Sequence, residues 1–216
     1  MDKKAKIARR AEQEIRAGQV VNLGIGIPTM ILKFLDREKQ VQIHSENGIL
    51  GMHAHCKAED ADRNLIDAGG GYIDLDAGAS FFDSVLSFAL IRGGRLDIAF
   101  LGSLEISAAG DLANWMIPGK YTPGIGGGME LAQKARRLVV TTLHTDRKGR
   151  PKLLKTCTLP LTARSCVDRV ITDLAVIDVV DGHMRLVEIA AEASLEEIVA
   201  KTDAPLEIPE GELPRF

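Results

Sequence analysis

The stretch Leu96–Gly102, LDIAFLG, decides the fold class of this chain. Its apolar residues follow one another without polar residues alternating between them, which is typical of a strand covered on both faces. Such strands belong to parallel sheets with helices packed on each side. RLVVTT, at 137–142, is a second run of the same kind. The sequence therefore predicts a single α/β domain with a largely parallel sheet.

Helical and extended segments alternate before this stretch. Asp2 is placed to cap a first helix that presents Ile7, Ala8, Ala11 and Ile15 on one face and stops at Gly18. VVNLGIGIPTMILKFLDRE then predicts a strand, a glycine turn and a helix with Pro28 in its first turn. VQIHS predicts a short strand. SFFDSVLSFALIR predicts a helix with an apolar face, formed by Phe82, Val85, Leu86, Ala89 and Leu90.

The same alternation continues to the end of the chain. GMELAQKAR predicts a short helix before RLVVTT, and RVIT, AVIDVV and MRLVEIA predict strands, the last two joined by the hairpin signal DGH. SLEEIVAKT predicts a last helix, opened by a capping box of Ser194 and Glu197. The tail from Ala204 contains three prolines, which favours a loose extension. We therefore assign residues 1–203 to one domain and 204–216 to a C-terminal extension.

Composition narrows the class of function. The chain has 216 residues and a net charge of −3, which argues against a broad basic surface for nucleic acid. No apolar stretch approaches the roughly 20 residues of a membrane span. The segment MDKKAKIARRAEQEIRAG has no apolar core of a signal peptide. The three cysteines show no paired spacing, which favours free thiols in a cytoplasmic setting.

Two glycine clusters are candidate binding loops. In PGIGGGMELAQKAR, consecutive glycines lead straight into a helix, where backbone amides can face an anion. A plain flexible turn without a ligand explains the same pattern equally well. NLGIGIP, at 22–28, matches a dinucleotide fingerprint only in part, because the third spaced glycine is missing.

Polar residues cluster in and after HSENGILG, at 44–51. Glu46 follows a strand and precedes the turn signal Asn47-Gly48, so it is either a solvated turn residue or a reactive group held at a strand end. His44 and Ser45 lack a nucleophile elbow, which argues against a hydrolase triad. His53, His55 and Cys56 are close enough for a metal, but without a second ligand pair an ordinary polar loop is favoured. Trp115 is expected to be a packing residue.

Six segments together resemble one known family. VNLGIGIPT, SENGILGM, GASFFDSVLSFALIRGG, GDLANWMIPGK, GIGGGMELA and CTLPLTA occur in the order of the B (beta) subunit of family I coenzyme A transferases, from about Ile7 to Thr202. NWMIPGK resembles the 3-oxoacid and acetoacetate type more than the 3-oxoadipate type. The resemblance implies an open three-layer α/β/α sandwich with Glu46 at the carboxyl end of a strand.

The resemblance also implies the chemistry of Glu46. In this family the glutamate of SENG is the nucleophile that carries coenzyme A as a glutamyl thioester, with ping-pong kinetics. A carboxylate needs no base at neutral pH, but its anhydride and thioester must be kept from water. The family's oxyanion donor falls on the backbone amide of Gly127. Coenzyme A is a substrate, so neither a further cofactor nor a metal is implied.

Other site residues follow from the same resemblance. Gly126 and Gly128 flank the oxyanion donor, Asn22 matches a position near bound coenzyme A, and Gly24 and Gly26 allow close approach. Asn47 completes the turn that presents Glu46; a buried Asn that only stabilises this turn is equally consistent with the sequence.

This sequence departs from common family forms around the same loops. Gly128 stands where alanine is frequent, and Gly70 where many relatives have a lysine, so no lysine is assigned to coenzyme A there. Tyr121 and Pro123 replace residues often seen as Met and Lys, which leaves the acyl group open. The family enzyme also has an A part, so a separate A (alpha) subunit is implied, in a complex of two A and two B chains.

Three alternatives remain at this point. The first is that the chain belongs to a 3-oxoadipate CoA-transferase. The second is a sugar-phosphate isomerase or deaminase on a similar fold, and the third is a noncatalytic subunit that has kept the motifs. The intact SENG argues against the last of these.

Overall fold

The computed structural model describes residues 2–120, 122 and 124–216. The α-helices of the described chain are α1 (Lys3–Glu12), α2 (Ser84–Arg92), α3 (Gly128–Lys134) and α4 (Leu195–Ala200), and two 3-10 helices cover Pro28–Lys33 and Arg37–Lys39. The strands are β1 (Val20–Leu23), β2 (Gln42–Ser45), β3 (Ile49–His55), β4 (Ile73–Phe81), β5 (Ile98–Leu101), β6 (Glu105–Ser107), β7 (Leu112–Ala113), β8 (Leu138–Thr141), β9 (Leu153–Leu154), β10 (Arg169–Ile171), β11 (Ala175–Val180), β12 (His183–Ile189) and β13 (Leu206–Glu207).

One large sheet organises the molecule. Its ten strands lie in the order β13-β12-β11-β10-β8-β5-β1-β2-β3-β4. The five central strands, β10-β8-β5-β1-β2, are parallel to one another, and antiparallel pairs extend the sheet on both sides. A separate sheet of three short strands has the order β7-β6-β9. The large sheet confirms the prediction of a mostly parallel α/β fold.

Apolar cores lie on both faces of this sheet. All four residues of β5 are buried, as LDIAFLG predicts: Ile98 and Phe100 belong to the core under α1, and Ala99 and Leu101 to the core under α2 and α3. Full burial of an Ile, Leu or Phe side chain contributes about 1.5–3 kcal/mol to the free energy of folding. Helices on both faces of one sheet make the three layers expected from the sequence.

The first helix joins the sheet through apolar and ionic contacts. Its residues Ile7, Ala8 and Ala11 are buried. Just after the helix, the buried Glu14 carboxylate lies within 2.8 Å of guanidinium nitrogens of three arginines, Arg10, Arg137 and Arg169. Burial by itself raises the pKa of Glu14, but hydrogen bonds from Arg169 and Arg10 lower it to about 2. Asp2 stands at the N-cap position, as predicted, but its side chain makes no capping hydrogen bond.

Two predicted helices have different forms. The segment after Pro28 is a 3-10 helix instead of an α-helix, although Pro28 does occupy its first turn. The helix predicted from Ser80 begins only at Ser84, because Ser80 and Phe81 still pair with β3 as the end of β4. Asp83 caps this helix, and its carboxylate accepts a hydrogen bond of 2.8 Å from the Leu86 amide.

The apolar face predicted for α2 does not face the core. Val85 and Leu86 are 76% and 49% exposed, and Ala89 is exposed as well. The residues that α2 turns inward are Ser87 and Ile91, both fully buried. Apolar residues surround this helix on nearly all sides, so their spacing does not identify the buried side. The helix therefore presents an apolar strip to solvent.

The strands β10, β11 and β12 and the helix α4 follow the prediction closely. β11 and β12 form the expected antiparallel hairpin, and Asp181 and Gly182 both have positive φ at its turn, as a type I′ turn requires. Ser194 caps α4 by accepting a hydrogen bond of 3.1 Å from the Glu197 amide. The Glu197 carboxylate accepts a hydrogen bond of 2.5 Å from Nζ of Lys201. This is not the reciprocal bond of a capping box, in which the carboxylate accepts from the Ser194 amide.

The C-terminal tail is ordered against the sheet, so the expectation of a loose extension is wrong. Leu206–Glu207 pair with β12 as a parallel strand. Further on, the Ile189 amide donates to the Pro214 carbonyl at 3.0 Å, and the Ala191 amide donates to the Phe216 carbonyl at 2.9 Å. Prolines between these contacts do not interrupt them, since each lies where its own nitrogen is not needed as a donor. Among the described residues, no helix has the length and apolar content to cross a bilayer.

Candidate active site

A cleft lies at the carboxyl ends of the central strands, where α/β sheets bind ligands. The turns after β1, β2 and β5 reach it through Gly24, Glu46 and Gly102, and its volume is about 570 Å³. The opposite wall consists of the glycine loop before α3. Further lining residues include Ile25, Ala68, Ser103, Leu104, Asn114 and Trp115. The fold thus brings two segments far apart in sequence, SENG and GIGGG, to one cavity.

The turn that carries Glu46 depends on Gly48. The Gly48 amide donates to the Ser45 carbonyl at 3.0 Å, which closes the turn between β2 and β3. Gly48 has φ +112°, and a Cβ at this position would lie 1.9 Å from the Phe82 carbonyl oxygen. Only glycine fits both the conformation and the space. The Glu46 carboxylate is therefore presented by a turn that tolerates no side chain at Gly48.

Ser45 and Asn47 fix the neighbouring loop of residues 66–71. The Ala68 amide donates to Oγ of Ser45 at 2.9 Å, and Nδ2 of Asn47 donates to the Ile66 carbonyl at 2.7 Å. Asn47 is exposed, and its side chain joins the turn to this loop. The loop forms one side of the cavity next to Glu46.

Glu46 and Gly127 approach each other across the cleft. A Cβ on Gly127 would lie 3.4 Å from Cγ of Glu46 and 3.2 Å from Cζ of Phe88. Gly127 occupies the cap position of α3, and Gly126 before it has φ +53°, a region that favours glycine. At this point the bare backbone of the loop adjoins the carboxylate.

Asn22 lies behind Glu46, inside the protein. It is fully buried in β1, and its Nδ2 lies 3.3 Å from Oε2 of Glu46, 3.1 Å from the His44 carbonyl oxygen and 3.2 Å from Nδ1 of His44. Nε2 of His44 lies 3.0 Å from Oγ of the fully buried Ser87 in α2. Burial lowers the pKa of His44 to about 4, so the ring is neutral at neutral pH. A chain of polar side chains thus connects the carboxylate with the layer of α2.

Glycine is required at positions 24 and 26, after β1, for two different reasons. A Cβ on Gly24 would lie 2.9 Å from Cδ2 of Leu101 and 3.0 Å from the Phe100 carbonyl oxygen, so the backbones of β1 and β5 approach closely there. Gly26 has open space around it but φ +98°. Gly128, in contrast, would place a Cβ 3.8 Å from Cγ2 of Thr162, which is ordinary contact. This explains why an alanine fits at position 128.

The three residues considered for a metal have other contacts. Nδ1 of His53 lies 2.6 Å from Oδ1 of Asp76, and Nε2 of His55 lies 2.7 Å from Oδ2 of Asp67. Cys56 is a partly exposed free thiol. Within residues 2–120, 122 and 124–216, no three His, Cys, Asp or Glu side chains are arranged as a metal site.

Some parts of the site were not assigned from the sequence. In the sequence His44 suggests only a hydrolase triad, and nothing marks Ser87 or Phe88. The signal for His44 is its spacing of two from Glu46, because residues two apart in an extended chain share a side, although Glu46 lies just beyond the end of β2. Trp115 was expected only to pack; it lines the cleft, and its Nε1 donates to the Leu161 carbonyl at 3.2 Å. Tyr121 and Pro123 lie outside the described residues.

Sequence comparison gives a family match over nearly the whole chain. The family model described as coenzyme A transferase matches residues 4–201. The beta subunit of a probable coenzyme A transferase from Bacillus subtilis is 48% identical over 94% of this chain and 93% of its own. The B subunit of a probable succinyl-CoA:3-ketoacid coenzyme A transferase from the same organism is 46% identical over 96% of both chains.

A solved structure has the same fold. The acyl-CoA transferase YdiF of Escherichia coli O157:H7, in a thioester complex with CoA, matches with a TM-score of 0.79 at 22% identity. The match covers 100% of this chain but 43% of that one, so this chain spans less than half the length of that transferase.

Proposed function

The chain belongs to the coenzyme A transferase family, and from this premise we propose that it is the B (beta) part of a two-part enzyme. The enzyme transfers coenzyme A between an acyl-CoA, such as succinyl-CoA or acetyl-CoA, and a 3-oxo acid or short-chain carboxylic acid, such as acetoacetate. One observation carries the proposal above the others. Glu46 stands at a strand end, in a cleft, against the bare backbone of Gly127.

In the proposed mechanism Glu46 is the nucleophile. Its carboxylate attacks the thioester carbon of the acyl-CoA; the resulting tetrahedral oxyanion collapses to an acyl-glutamyl anhydride and expels the coenzyme A thiolate. The thiolate then attacks the glutamyl carbonyl carbon, forms a C–S bond and expels the first carboxylic acid as its carboxylate. The second acid reverses both steps. Each exchange preserves an activated acyl bond, so the chemistry requires no ATP and no metal, and coenzyme A acts as a substrate.

Residues of this chain would support those steps in different ways. We assign the Gly127 amide, flanked by Gly126 and Gly128, to the oxyanion, where one such donor contributes about 10²–10³ in rate. Gly24 and Gly26 permit close approach of the pantetheine arm. Asn22 holds Oε2 of Glu46 from behind. In this scheme Asn22 lies near the coenzyme A thioester because it contacts Glu46, the residue that carries coenzyme A.

A separate A subunit completes the proposed enzyme, in a complex of two A and two B chains. The two relatives from Bacillus subtilis are themselves named as beta and B subunits, which supports a second kind of subunit. The apolar strip of Phe81, Val85, Leu86 and Ala89 supports it as well. Phe81 is 62% exposed and Val85 76% exposed, and the strip lies on and just before α2, the helix that contacts Gly127 through Phe88. A partner bound there would shield the anhydride and thioester from water.

A cytoplasmic location is the remaining part of the proposal. Cys56, Cys157 and Cys166 are free thiols, which suits a reducing compartment. Burial raises the pKa of Cys157 and of Cys166 to about 12, so both stay protonated and unreactive.

The test is direct detection of the glutamyl thioester. The A–B complex is incubated with acetoacetyl-CoA alone, digested and analysed by mass spectrometry. We expect coenzyme A on the peptide that contains Glu46, and none in Glu46→Ala. Glu46→Asp keeps the charge but withdraws the carboxylate by about 1 Å, and such misplacement costs roughly 10²-fold in turnover. An adduct on a different residue, or near-normal turnover of Glu46→Ala, would exclude the assignment.

A panel of acyl-CoA donors and acid acceptors then identifies the substrates. Exchange with acetoacetate or short-chain acids is the expected result. Preference for 3-oxoadipate would move the chain to the alternative branch of the family, and turnover of a sugar phosphate without coenzyme A would contradict the family chemistry itself.

A further inference from the structure

His44 and Asn22 form a matched pair of buried side chains in the centre of the sheet. β1 and β2 are parallel neighbours, and Asn22 lies directly opposite His44 in their register. Asn22 is 0% exposed and His44 is 2% exposed. Both point to the face covered by α2, where Ser87 meets the imidazole. Glu46 follows two residues after His44, just beyond the end of β2, and its Oε2 lies 3.3 Å from Nδ2 of Asn22.

The surroundings of Asn22 determine the orientation of its amide. Three acceptors lie within 3.3 Å of Nδ2: the carboxylate of Glu46, the His44 carbonyl and Nδ1 of the His44 ring. Oδ1 of Asn22 is buried and makes no hydrogen bond to the described residues. The opposite orientation would direct Oδ1 at a carboxylate and a carbonyl oxygen, which is repulsive. The amide therefore leaves its own oxygen unsatisfied so that its NH₂ group faces Glu46.

The tautomer of His44 follows from this arrangement. Nδ2 of Asn22 has two hydrogens for three acceptors; when one of them is donated to Nδ1, the neutral ring carries its proton on Nε2. That proton faces Oγ of Ser87 at 3.0 Å. The ring of Phe82 stacks on the imidazole, with 6.2 Å between centroids, and restricts its rotation. Strand, helix and aromatic ring thus hold the imidazole in one orientation and one protonation state.

We propose that His44 is a positioning residue of the active site: by accepting a hydrogen bond from Asn22, it keeps the Asn22 NH₂ group on one oxygen of the Glu46 carboxylate and leaves the other oxygen to attack. This inference rests on the proposed function, since it assigns His44 a task in the reaction of Glu46. Without the imidazole, the Asn22 NH₂ group loses one of its three acceptors and is held less firmly against the carboxylate. His44 itself touches no substrate.

Two substitutions separate the acceptor from the bulk of His44. His44→Asn places an amide oxygen near the position of Nδ1, whereas His44→Leu fills similar space without an acceptor. In the A–B complex with acyl-CoA, we expect formation of the Glu46 adduct to slow about 10²-fold in His44→Leu, as for a misplaced nucleophile. His44→Asn should recover at least a tenth of the wild-type rate. KM for acyl-CoA should change little, because substrate contacts are intact.

A double-mutant cycle tests the route through Asn22. If His44 acts through Asn22, then His44→Leu should cost almost nothing further in an Asn22→Ala background. Fully additive losses would overturn the proposal, and so would a His44→Leu complex that forms the adduct at the wild-type rate. Equal losses of rate in the Asn and Leu variants would also overturn it, since they would indicate a packing role.

The tautomer offers a readout on the wild-type complex, with the His44 variants used only to assign the signal. In ¹⁵N-histidine spectra of the wild-type complex, the signal absent from either His44 variant should show a proton on Nε2 and none on Nδ1. A proton on Nδ1 would exclude the hydrogen bond from Asn22 and overturn the proposal. Absence of any adduct in the wild-type complex would instead reject the function of Glu46, so the two failures are distinguishable.

Discussion

A methyl group placed on Gly127 would lie 3.4 Å from Cγ of Glu46, so the backbone of the glycine loop and the carboxylate share one small space. The same methyl group would lie 3.2 Å from Cζ and 3.3 Å from Cε1 of Phe88, closer than most real Cβ contacts. The neighbouring Gly128 has no such crowding. The two glycines therefore offer a matched pair of substitutions.

Gly127→Ala should lower turnover of the A–B complex by roughly 10²-fold, because the new methyl group moves the carboxylate or the loop out of position. Gly128→Ala should retain far more activity and stabilise the chain by up to about 1 kcal/mol, since alanine is favoured over glycine in a helix. Steady-state kinetics and urea unfolding measure the two effects. Equal activity of the two variants would show that the loop is an ordinary turn.

Gly48→Ala should destabilise the chain by more than about 2 kcal/mol, because a left-handed conformation and a clash with the Phe82 carbonyl combine. Gly78→Ala is the control: Gly78 has φ +88° but no atom within 4 Å of its Cβ position, so strain acts alone. Its cost should be about 1 kcal/mol. Urea denaturation midpoints compare them. A Gly48→Ala protein as stable as Gly78→Ala would contradict the geometry described for the turn.

Val85→Lys should prevent assembly with the A subunit and leave the fold intact. Val85 is 76% exposed, so a lysine is tolerated in the isolated chain, but a charge buried in an apolar interface is costly. Val199→Lys makes the same change on α4, at a valine that is 47% exposed and outside the strip. Analytical size-exclusion chromatography with the A subunit should show complex for Val199→Lys only. Normal assembly of Val85→Lys would place the interface elsewhere.

Stability should fall as the pH decreases from about 6.5 towards 4, in part because of His144. Burial lowers the pKa of His144 to about 4 from an ordinary value of 6.5. Above pH 6.5 neither state binds the proton, and the contribution is complete; between the two values only the unfolded state binds it, which favours unfolding. Between about pH 7.5 and about pH 5 the loss should be about 2 kcal/mol.

Urea unfolding of the wild type and of His144→Gln at both pH values measures this contribution by difference. The imidazole lies between Oγ1 of Thr172 and Oγ1 of Thr202, each at 2.9 Å, so the glutamine variant loses some stability at every pH. Only the pH dependence is diagnostic. An identical pH dependence in both proteins would mean that His144 does not titrate differently in the two states.

The central strands were predictable because a strand buried on both faces consists of a nearly continuous run of apolar residues. LDIAFLG and RLVVTT could hardly be other than buried strands, and DGH could form a tight turn between AVIDVV and MRLVEIA. The helix α2 shows the limit. Its apolar residues surround nearly the whole helix, so the sequence could not tell that Val85 faces outwards and Ser87 inwards.

The position of Glu46 between a strand and a turn was predictable, and its surroundings were much less so. A local motif draws attention to the carboxylate, but the contact of Asn22 with His44 depends on the register of β1 against β2, which no local pattern encodes. The same is true of Phe88 against Gly127, where a helix and a loop about forty residues apart meet. Long-range packing creates these relationships, and only the fold reveals them.

The ordered tail affects how copies of this protein associate with one another. β12 would otherwise be an open strand of seven residues, His183–Ile189, and an open strand is a template on which a second molecule can align. Leu206–Glu207 occupy one end of that strand and Pro214–Phe216 the other, so the chain covers its own edge with its last residues. What remains at this border of the sheet is a strand only two residues long. Proteolytic removal of the tail would therefore lower solubility before it lowered activity. It would expose the edge of β12, on which strands of other molecules can pair and aggregate.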